Sequence, residues 1–563
     1  MRKKLSFQIL IFCSLFFLIG PALVGSATIG QVERFNTESS FDQQSRREVT
    51  AILRKVSNEL FFYLEEDWWN QLKEEERQRI EERIYNLGVE FEKNIYPRMT
   101  TLFGPKPNHP VDRSGRITIL FHRMQPGFGG YFNSADQHSV FQSPRSNERN
   151  MLYISAEQID NILLESILAH EFMHLLTFNQ KERVHRVREE IWLNDVRAEF
   201  MPTLLGYDER EDSNLKRRIR AFLRQPTDSL TEWINKLPDY AVVNLFAQYL
   251  VDHYGIEILV NSFRSNRVGI ESLNEALRLN RHNKSFTDVF TNWKIASLVN
   301  DCQLGERYCY RNPILKDVRI TPWTTFLPTS YGASFSARNS TKNWAGNWQR
   351  VVGGRGDLIL EFEGEPGLQW QVPYLLCAEN QLCVVERMIL DSQNRGEIKI
   401  ADFGEQYESL TIMPSLQTKI TDFNGVEREH FFSWRVSAEQ ALQDDLTLRQ
   451  SLLRQITVLQ AEVARLKNLR DRESAVLQPI TLNLSFGARG EEVSRLQEFL
   501  RGQGAEIYPE GLVTGRFLTM TRRAVIRFQE RHAAEILQPL GLSRGTGLVG
   551  EMTRKKINKL LEI

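Results

Sequence analysis

Two histidines four residues apart, with a glutamate between them, constrain the fold of this chain more than any other feature. His170 and His174 project from one face only if the chain around them is helical, because an α-helix completes a turn about every 3.6 residues. Apolar residues flank the motif on both sides, so we predict a buried helix. Two imidazoles on one face can bind one metal ion, and Glu171 beside the first can take a proton from water. The spacing therefore predicts a hydrolytic zinc site.

The third ligand of such a site is expected from an acidic segment downstream. A catalytic zinc ion takes three protein ligands and keeps one position open for water or substrate. Glu190, Asp195 and Glu199 follow the motif, and each offers carboxylate oxygens. Trp192 and Leu193 stand beside Asp195, which argues against full solvent exposure of that residue. The residues alone leave all three acids as candidates.

The stretch Leu168–Leu175, read together with Trp192-Leu193-Asn194-Asp195-x-x-Ala198-Glu199, resembles the gluzincin zinc metallopeptidases. It is most similar to their hyicolysin-like and peptidase MA-like branch, over residues 90–300, and this implies a zincin-like fold. The site residues that the resemblance implies are the zinc ligands His170, His174 and Asp195, the water-activating Glu171, and Glu199, which accepts a hydrogen bond from a ligand histidine.

This sequence departs from the family pattern at the third ligand. The family has glutamate where Asp195 stands, and aspartate is one methylene shorter. A carboxylate is retained, so zinc coordination stays chemically reasonable if the helix that carries it approaches the metal more closely. Glu190 and Glu199 remain the alternative ligands.

The resemblance also implies two features on either side of the metal. Related enzymes stabilise the oxyanion with a tyrosine or histidine from a later helix, and the candidates here are Tyr240, Tyr249 and His253, of which Tyr240 is preferred. A packing role on the helix that runs to Gly255 is the alternative interpretation for each of them. The segment containing Gly130 and Tyr131 resembles the edge strand that pairs with the substrate backbone in these enzymes. An ordinary turn beside a strand is the alternative interpretation of that segment.

The N-terminal sequence predicts export. Basic residues precede an apolar run that ends in small residues, an order typical of a cleaved signal peptide, here over residues 1–27. No membrane contact is expected after cleavage. Four cysteines remain in two close pairs, which predicts the disulfides Cys302–Cys309 and Cys377–Cys383. The alternative is one zinc site with four thiolate ligands, although the spacing within each pair is wider than usual.

The length of 563 residues predicts a multidomain α+β protein, because one hydrophobic core does not serve so long a chain. Residues 40–100 have dense charge and helical apolar spacing, and short apolar runs at 117–121 and 151–154 predict strands. The predicted units are a zincin-like metallopeptidase domain at 28–314, an antiparallel β-sandwich at 315–436, a helical linker or short coiled coil at 437–480, and a small three-helix module at 481–563.

The C-terminal module carries a second resemblance. Gly487-Ala488-Arg489-Gly490, the apolar spacing that follows it, and the pair Phe528-Gln529 are similar to the three-helix peptidoglycan-binding domain. This resemblance implies attachment to peptidoglycan and no chemistry. Arg516-Phe517-Leu518 departs from the relatives, which have an aromatic residue and a second glycine there, and the departure bears on glycan affinity.

Together these patterns predict an exported zinc endopeptidase at or near the bacterial cell wall, with peptides or proteins as substrates and peptidoglycan as the partner of the module. Two alternatives stay open: a wall-binding scaffold whose catalytic domain has decayed, and a hydrolase of peptidoglycan crosslinks. Lysine plus arginine and aspartate plus glutamate both number 71, so the composition gives no support to a nucleic-acid partner.

Overall fold

The computed structural model describes residues 28–330, 332–379, 382–418, 425–439, 453, 455–463 and 479–561. The predicted signal peptide and most of the predicted linker lie outside these residues. Residues 455–463 of the linker are helical and expose the apolar side chains of Ile456, Leu459 and Val463. Within the described part of the chain, no helix is both long and apolar enough to cross a membrane.

A six-stranded mixed sheet organises the N-terminal unit, in the order β1-β2-β3-β4-β6-β5. The strands β3, β4 and β6 pair in parallel, and the pairs β1–β2, β2–β3 and β5–β6 are antiparallel. The predicted strands at 117–121 and 151–154 are present as β4 and β6. The six strands are β1 Val32–Asn36, β2 Glu48–Val56, β3 Leu60–Glu65, β4 Ile117–His122, β5 Gly130–Tyr131 and β6 Met151–Ser155.

The helical prediction for residues 40–100 is wrong in its first half, which forms β2 and β3. In β2, Val49, Ala51 and Leu53 alternate inward with a period of two, the pattern of a strand with one buried face. Every residue of Leu60–Glu65 is buried, as expected for an inner strand. The dense charges that suggested a helix belong to the segment after these strands.

Ten helices belong to this unit, and most of them pack on one face of the sheet in a single apolar cluster. A smaller cluster covers the other face with residues such as Phe35, Leu53 and Tyr153. The helices are α1 Glu66–Asn70, α2 Glu74–Glu90, α3 Tyr96–Phe103, α4 Leu164–Thr177, α5 Ile191–Leu204, α6 Asn214–Arg224, α7 Leu237–Tyr254, α8 Glu257–Arg264, α9 Gly269–Leu279 and α10 Phe286–Val299.

Two sheets from the middle of the chain pack on a shared apolar core, which takes Val351 and Ile412 from one sheet and Leu360 and Trp434 from the other. Their orders are β14-β10-β17-β8 and β13-β12-β15-β9-β7, and one pair, β7–β9, is parallel rather than antiparallel. The strands are β7 Trp323–Leu327, β8 Ser334–Thr341, β9 Gln349–Gly353, β10 Gly356–Gly364, β11 Trp370–Gln371, β12 Pro373–Cys377, β13 Cys383–Arg387, β14 Arg395–Phe403, β15 Ser409–Ile412, β16 Ser415–Leu416 and β17 His430–Ala438.

Core contacts join this sandwich to the helical unit. Trp344 packs between Phe286 and Phe290 of α10, with ring centroids 4.8 and 5.2 Å away. The indole nitrogen of Trp348 donates to the carbonyl oxygen of Lys294 at 3.1 Å. Both predicted disulfides are present, so the four cysteines are not a thiolate zinc site; the pairs are Cys302–Cys309 and Cys377–Cys383.

The C-terminal module has its own apolar core. One arrangement occurs twice in it. The amide oxygen of Gln497 accepts from the backbone nitrogens of Thr514 and Gly515, at 2.8 and 2.9 Å, and that of Gln529 accepts from Thr546 and Gly547 at the same distances. Each glutamine therefore ties its helix to a loop. The helices are Glu491–Gly502, Thr519–Arg531, Ala533–Ile536 and Glu551–Leu561.

Candidate metal centre

Helix α4 carries both histidines of the motif on one face. The Nε2 atoms of His170 and His174 lie 3.1 Å apart, and each side chain is 13% exposed. Leu168 and Phe172 are fully buried on the side of the helix that faces the core. The helix is therefore anchored by its apolar face and presents both imidazoles to the same point.

Helix α5 brings Asp195 to that point. Its Oδ1 atom lies 3.4 Å from Nε2 of His170 and 3.7 Å from Nε2 of His174. Among the described residues, this is the one group of three histidine, cysteine or acidic side chains whose ligand atoms all lie within 4.8 Å of one another. Ligands bound tetrahedrally to zinc at about 2.0–2.2 Å stand about 3.3–3.6 Å apart. Two imidazole nitrogens and a carboxylate oxygen at these separations fit a zinc ion.

Glu199 supports the histidine from behind. Its Oε1 atom lies 3.5 Å from Nδ1 of His170, on the side of the ring that faces away from the candidate ligand atoms. Arg218 donates to both of its oxygens at 2.6 and 2.8 Å, and Asn214 and Asn244 donate to Oε2 at 2.9 and 3.1 Å. Burial disfavours its charged form, but Arg218 outweighs this effect and the pKa of Glu199 lies below its usual range. A carboxylate here fixes the tautomer and orientation of a ligand histidine.

Burial and neighbouring charges shift the protonation of the site. Burial, together with the charges of Asp195 and Glu199, raises the pKa of Glu171 to about 7. Burial works against the charged form of His170, but the hydrogen bond with Asp195 and the acids around the ring prevail and raise its pKa to about 9. Burial lowers the pKa of His174. Three buried acids and two histidines at one point are an environment that favours a divalent cation.

The site opens into a cleft of about 280 Å³, which is lined by Glu171 and His170 and bordered by β5. Strand β5 is the outer strand of the sheet and runs antiparallel to β6. A Cβ atom on Gly130 would lie 2.6 Å from the carbonyl oxygen of Tyr153 and 3.2 Å from Oε1 of Glu171, so glycine is needed there. Tyr131 points the other way, stacked on Tyr153 at 4.2 Å.

Tyr240 lies on the cleft wall, whereas the alternatives considered for its role do not. Its ring centroid is 6.2 Å from that of His170, and its hydroxyl donates to Oδ1 of Asn235 at 2.6 Å. The hydroxyl of Tyr249 donates to the carbonyl oxygen of Arg307, and Nε2 of His253 lies 2.8 Å from the carbonyl oxygen of Cys309. The alternative ligand Glu190 accepts a hydrogen bond from the indole of Trp192.

Helix α6 supplies cleft residues that the sequence analysis did not identify. Asn214, Arg217 and Arg218 all line the cleft, and the first and last of them hold Glu199. An arginine-rich amphipathic helix normally reads as a solvated surface, so its sequence carried no signal of this position. The rim also includes Pro509 and Leu512 of the C-terminal module.

The C-terminal region belongs to a known class of wall-binding modules. Residues 489–557 match the family described as "Putative peptidoglycan binding domain". The sequence prediction of a peptidoglycan-binding domain is confirmed, and it is consistent with association with the cell wall. The comparison with curated proteins gave no match for the chain.

Three of the solved structures that match each align with about a fifth of the chain. The pre-peptidase C-terminal domain of a Bacillus anthracis collagenase shows 7% identity over 21% of this chain and 96% of its own, with a TM-score of 0.15. The Aeromonas hydrophila g-type lysozyme inhibitor PliG shows 11% identity over 21% of this chain and 98% of its own, with a TM-score of 0.15. The copper-binding protein CorA of Methylomicrobium album BG8 shows 11% identity over 21% of this chain and 98% of its own, with a TM-score of 0.16. At these TM-scores the similarities carry no argument.

Proposed function

We propose that this chain is an exported zinc endopeptidase with a zincin-like catalytic domain, which hydrolyses peptide bonds at or near the bacterial cell wall. One observation carries the proposal. Two imidazole nitrogens and a carboxylate oxygen, from His170, His174 and Asp195, converge within 4.8 Å of one another, and His170 and its neighbour Glu171 line an open cleft. Three protein ligands with space for a fourth are the arrangement of catalytic rather than structural zinc.

Each residue then has a role in peptide hydrolysis. Zinc held by the three ligands would supply Lewis-acid polarisation of a water molecule and of the scissile carbonyl. Glu171 accepts a proton from the water as the water oxygen bonds to the carbonyl carbon. The C–N bond then breaks, and the proton passes from Glu171 to the amine nitrogen. The backbone of β5 pairs with the substrate, and the Tyr240 hydroxyl exchanges its hydrogen bond to Asn235 for one to the developing oxyanion.

The other parts of the chain support a location at the wall. The peptidoglycan-binding domain at 489–557 would hold the enzyme on the polymer. The predicted signal peptide and two disulfides are typical of proteins that fold outside the cytoplasm. These features favour a protease that acts near the cell surface.

Zinc content and casein cleavage, measured together, test the proposal. We expect purified wild type to contain one zinc ion per chain and to cleave casein. Glu171→Gln should keep the zinc and lose cleavage by about a hundredfold or more, since it removes the general base alone. Asp195→Ala should lose zinc, whereas the matched control Glu190→Gln should retain both zinc and activity.

The outcomes separate the proposal from its alternatives. Wild type without zinc and without cleavage would point to a wall-binding scaffold and overturn the proposal. Cleavage of purified wall peptides with no cleavage of casein would point to a peptidoglycan crosslink hydrolase. Zinc retained by Asp195→Ala but lost by Glu190→Gln would identify Glu190, rather than Asp195, as the third ligand.

A further inference from the structure

Two consecutive arginines on α6 line the cleft, but they differ in their partners. Arg218 donates two hydrogen bonds to Glu199 and lies over the ring of Tyr240, 4.8 Å from its centroid. Arg217 is half-buried in the same wall, and its guanidinium makes no hydrogen bond or ion pair with any residue in the described ranges. One arginine supports the metal centre and its neighbour faces the cleft without a partner.

The two acids whose charges act on Arg217, Asp212 and Glu199, each pair with another arginine. Asp212 pairs with Arg220 at 2.6 Å, and Glu199 pairs with Arg218. Burial and the adjacent positive charge of Arg218 lower the pKa of Arg217, but a guanidinium stays protonated at neutral pH. A partly desolvated cation without a counter-ion is unfavourable, and an anion from outside the protein relieves that cost.

Arg197, a buried arginine that pairs within the fold, has a different environment. Arg197 is fully buried, pairs with Glu189 at 2.9 Å and donates to the hydroxyl of Ser262 at 3.0 Å. Its charge is balanced inside the chain. Arg217 has the opposite arrangement, since its side chain lines a cleft that His170, one of the candidate metal ligands, and Glu171 also line.

We propose that Arg217 makes the cleft select peptides that carry a carboxylate side chain close to the scissile bond. The planar guanidinium matches a carboxylate in a two-point hydrogen-bonded pair, which a neutral amide of the same shape cannot reproduce. The inference rests on the proposed peptidase function, because that function identifies the cleft as the place where a peptide lies. It assigns the substrate class of that same site.

Binding of matched peptides tests this selectivity. The zinc-loaded full chain carrying Glu171→Gln, which binds peptide without turning it over, is titrated with fluorescent peptides that differ only by glutamate or glutamine at one scanned position. We expect one position at which the glutamate peptide binds about tenfold or more tightly. Adding Arg217→Gln should abolish the difference, and adding Arg217→Lys should keep only part of it, because lysine retains the charge but not the two-point geometry.

Arg224→Gln is the matched control, because it removes the same charge from the exposed end of the same helix outside the cleft. It should leave the glutamate preference unchanged, and thermal unfolding checks that each variant is folded. Equal binding of glutamate and glutamine peptides at every position, or a preference that survives Arg217→Gln, would overturn the inference. Casein cleavage by wild type tests the peptidase function separately, so the two proposals can fail independently.

Discussion

Glu199 contributes to the candidate metal centre at the scale of one residue. It is buried, it lies behind His170 rather than among the convergent ligand atoms, and Arg218 holds both of its oxygens. Asp195, one helical turn earlier in α5, faces the ligand atoms of both histidines. The two acids are therefore on one helix face but in successive layers, and each would act differently on a bound zinc ion.

Replacement of Glu199 by glutamine should weaken zinc binding without removing a ligand. The change keeps the size of the side chain but removes the charge that orients His170. Second-layer changes of this kind cost about 10- to 100-fold in metal affinity. Competition with a chromophoric chelator measures the affinity, and Asp212→Asn, which breaks a comparable acid–arginine pair away from the metal, is the control. Unchanged affinity in Glu199→Gln would show that the acid serves the fold alone.

At the scale of elements, buried acids meet where the segment before α7 contacts the sandwich. Glu427 accepts a hydrogen bond from the hydroxyl of Thr231, and its backbone nitrogen donates to Glu232. Lys342 pairs with Glu232. Burial, with the nearby charge of Glu232, raises the pKa of Glu427 to about 7 from an ordinary 4.5. This junction therefore contains more negative charge than its one close lysine balances.

The raised pKa of Glu427 predicts stability that falls as pH rises. The folded state holds the proton more tightly than the unfolded state, so this contribution is full below pH 4.5 and is lost up to about pH 7. The glutamine in Glu427→Gln cannot ionise. The free energy of unfolding of this variant, relative to that of wild type, should therefore be about 1–2 kcal/mol more favourable at pH 8 than at pH 4.5, after allowance for partial solvent screening.

Urea unfolding at the two pH values measures this difference. The exposed neighbour Glu429, changed to glutamine, is the matched control and should show no such gain. A variant that is no more stable than wild type at pH 8 would show that solvent or Lys342 already neutralises the junction.

At the scale of the whole molecule, catalysis and attachment are assigned to different cores. The apolar cluster around α4 and α5 contains no residue of the C-terminal module, which packs around Leu496, Phe528 and Ile557. Pro509 and Leu512 nevertheless line the rim of the cleft. The module is thus placed to hold wall polymer beside the proposed active site.

Deletion of residues 481–563 should separate the two activities. The affinity for purified walls, measured by co-sedimentation, is expected to fall by about tenfold or more, which corresponds to a loss of at least about 1.4 kcal/mol of binding free energy. Casein cleavage should persist, because the zinc ligands and their supporting residues all lie in the N-terminal unit. Wall binding that survives the deletion would move attachment to another part of the chain.

Much of the site followed from local sequence, and its surroundings did not. The four-residue spacing of the histidines placed both on one face of α4, and the disulfide pairs and the peptidoglycan-binding domain were also predicted correctly. The strands β2 and β3 were missed, since the strong charge pattern of α2 was extended backward over them. The period-two burial of β2 and the complete burial of β3 become evident only when the neighbouring strands are in place.

The sequence by itself determined which atoms can bind a metal, because residue type and helical period are local properties that hold wherever the helix lies. Only the tertiary structure decided which acid joins the histidines and which arginine remains without a partner. Asp195, Glu199 and Arg217 belong to helices whose distances from α4 depend on packing of the whole apolar core. Several acids and arginines in one stretch are equivalent by composition, and burial and geometry distinguish them.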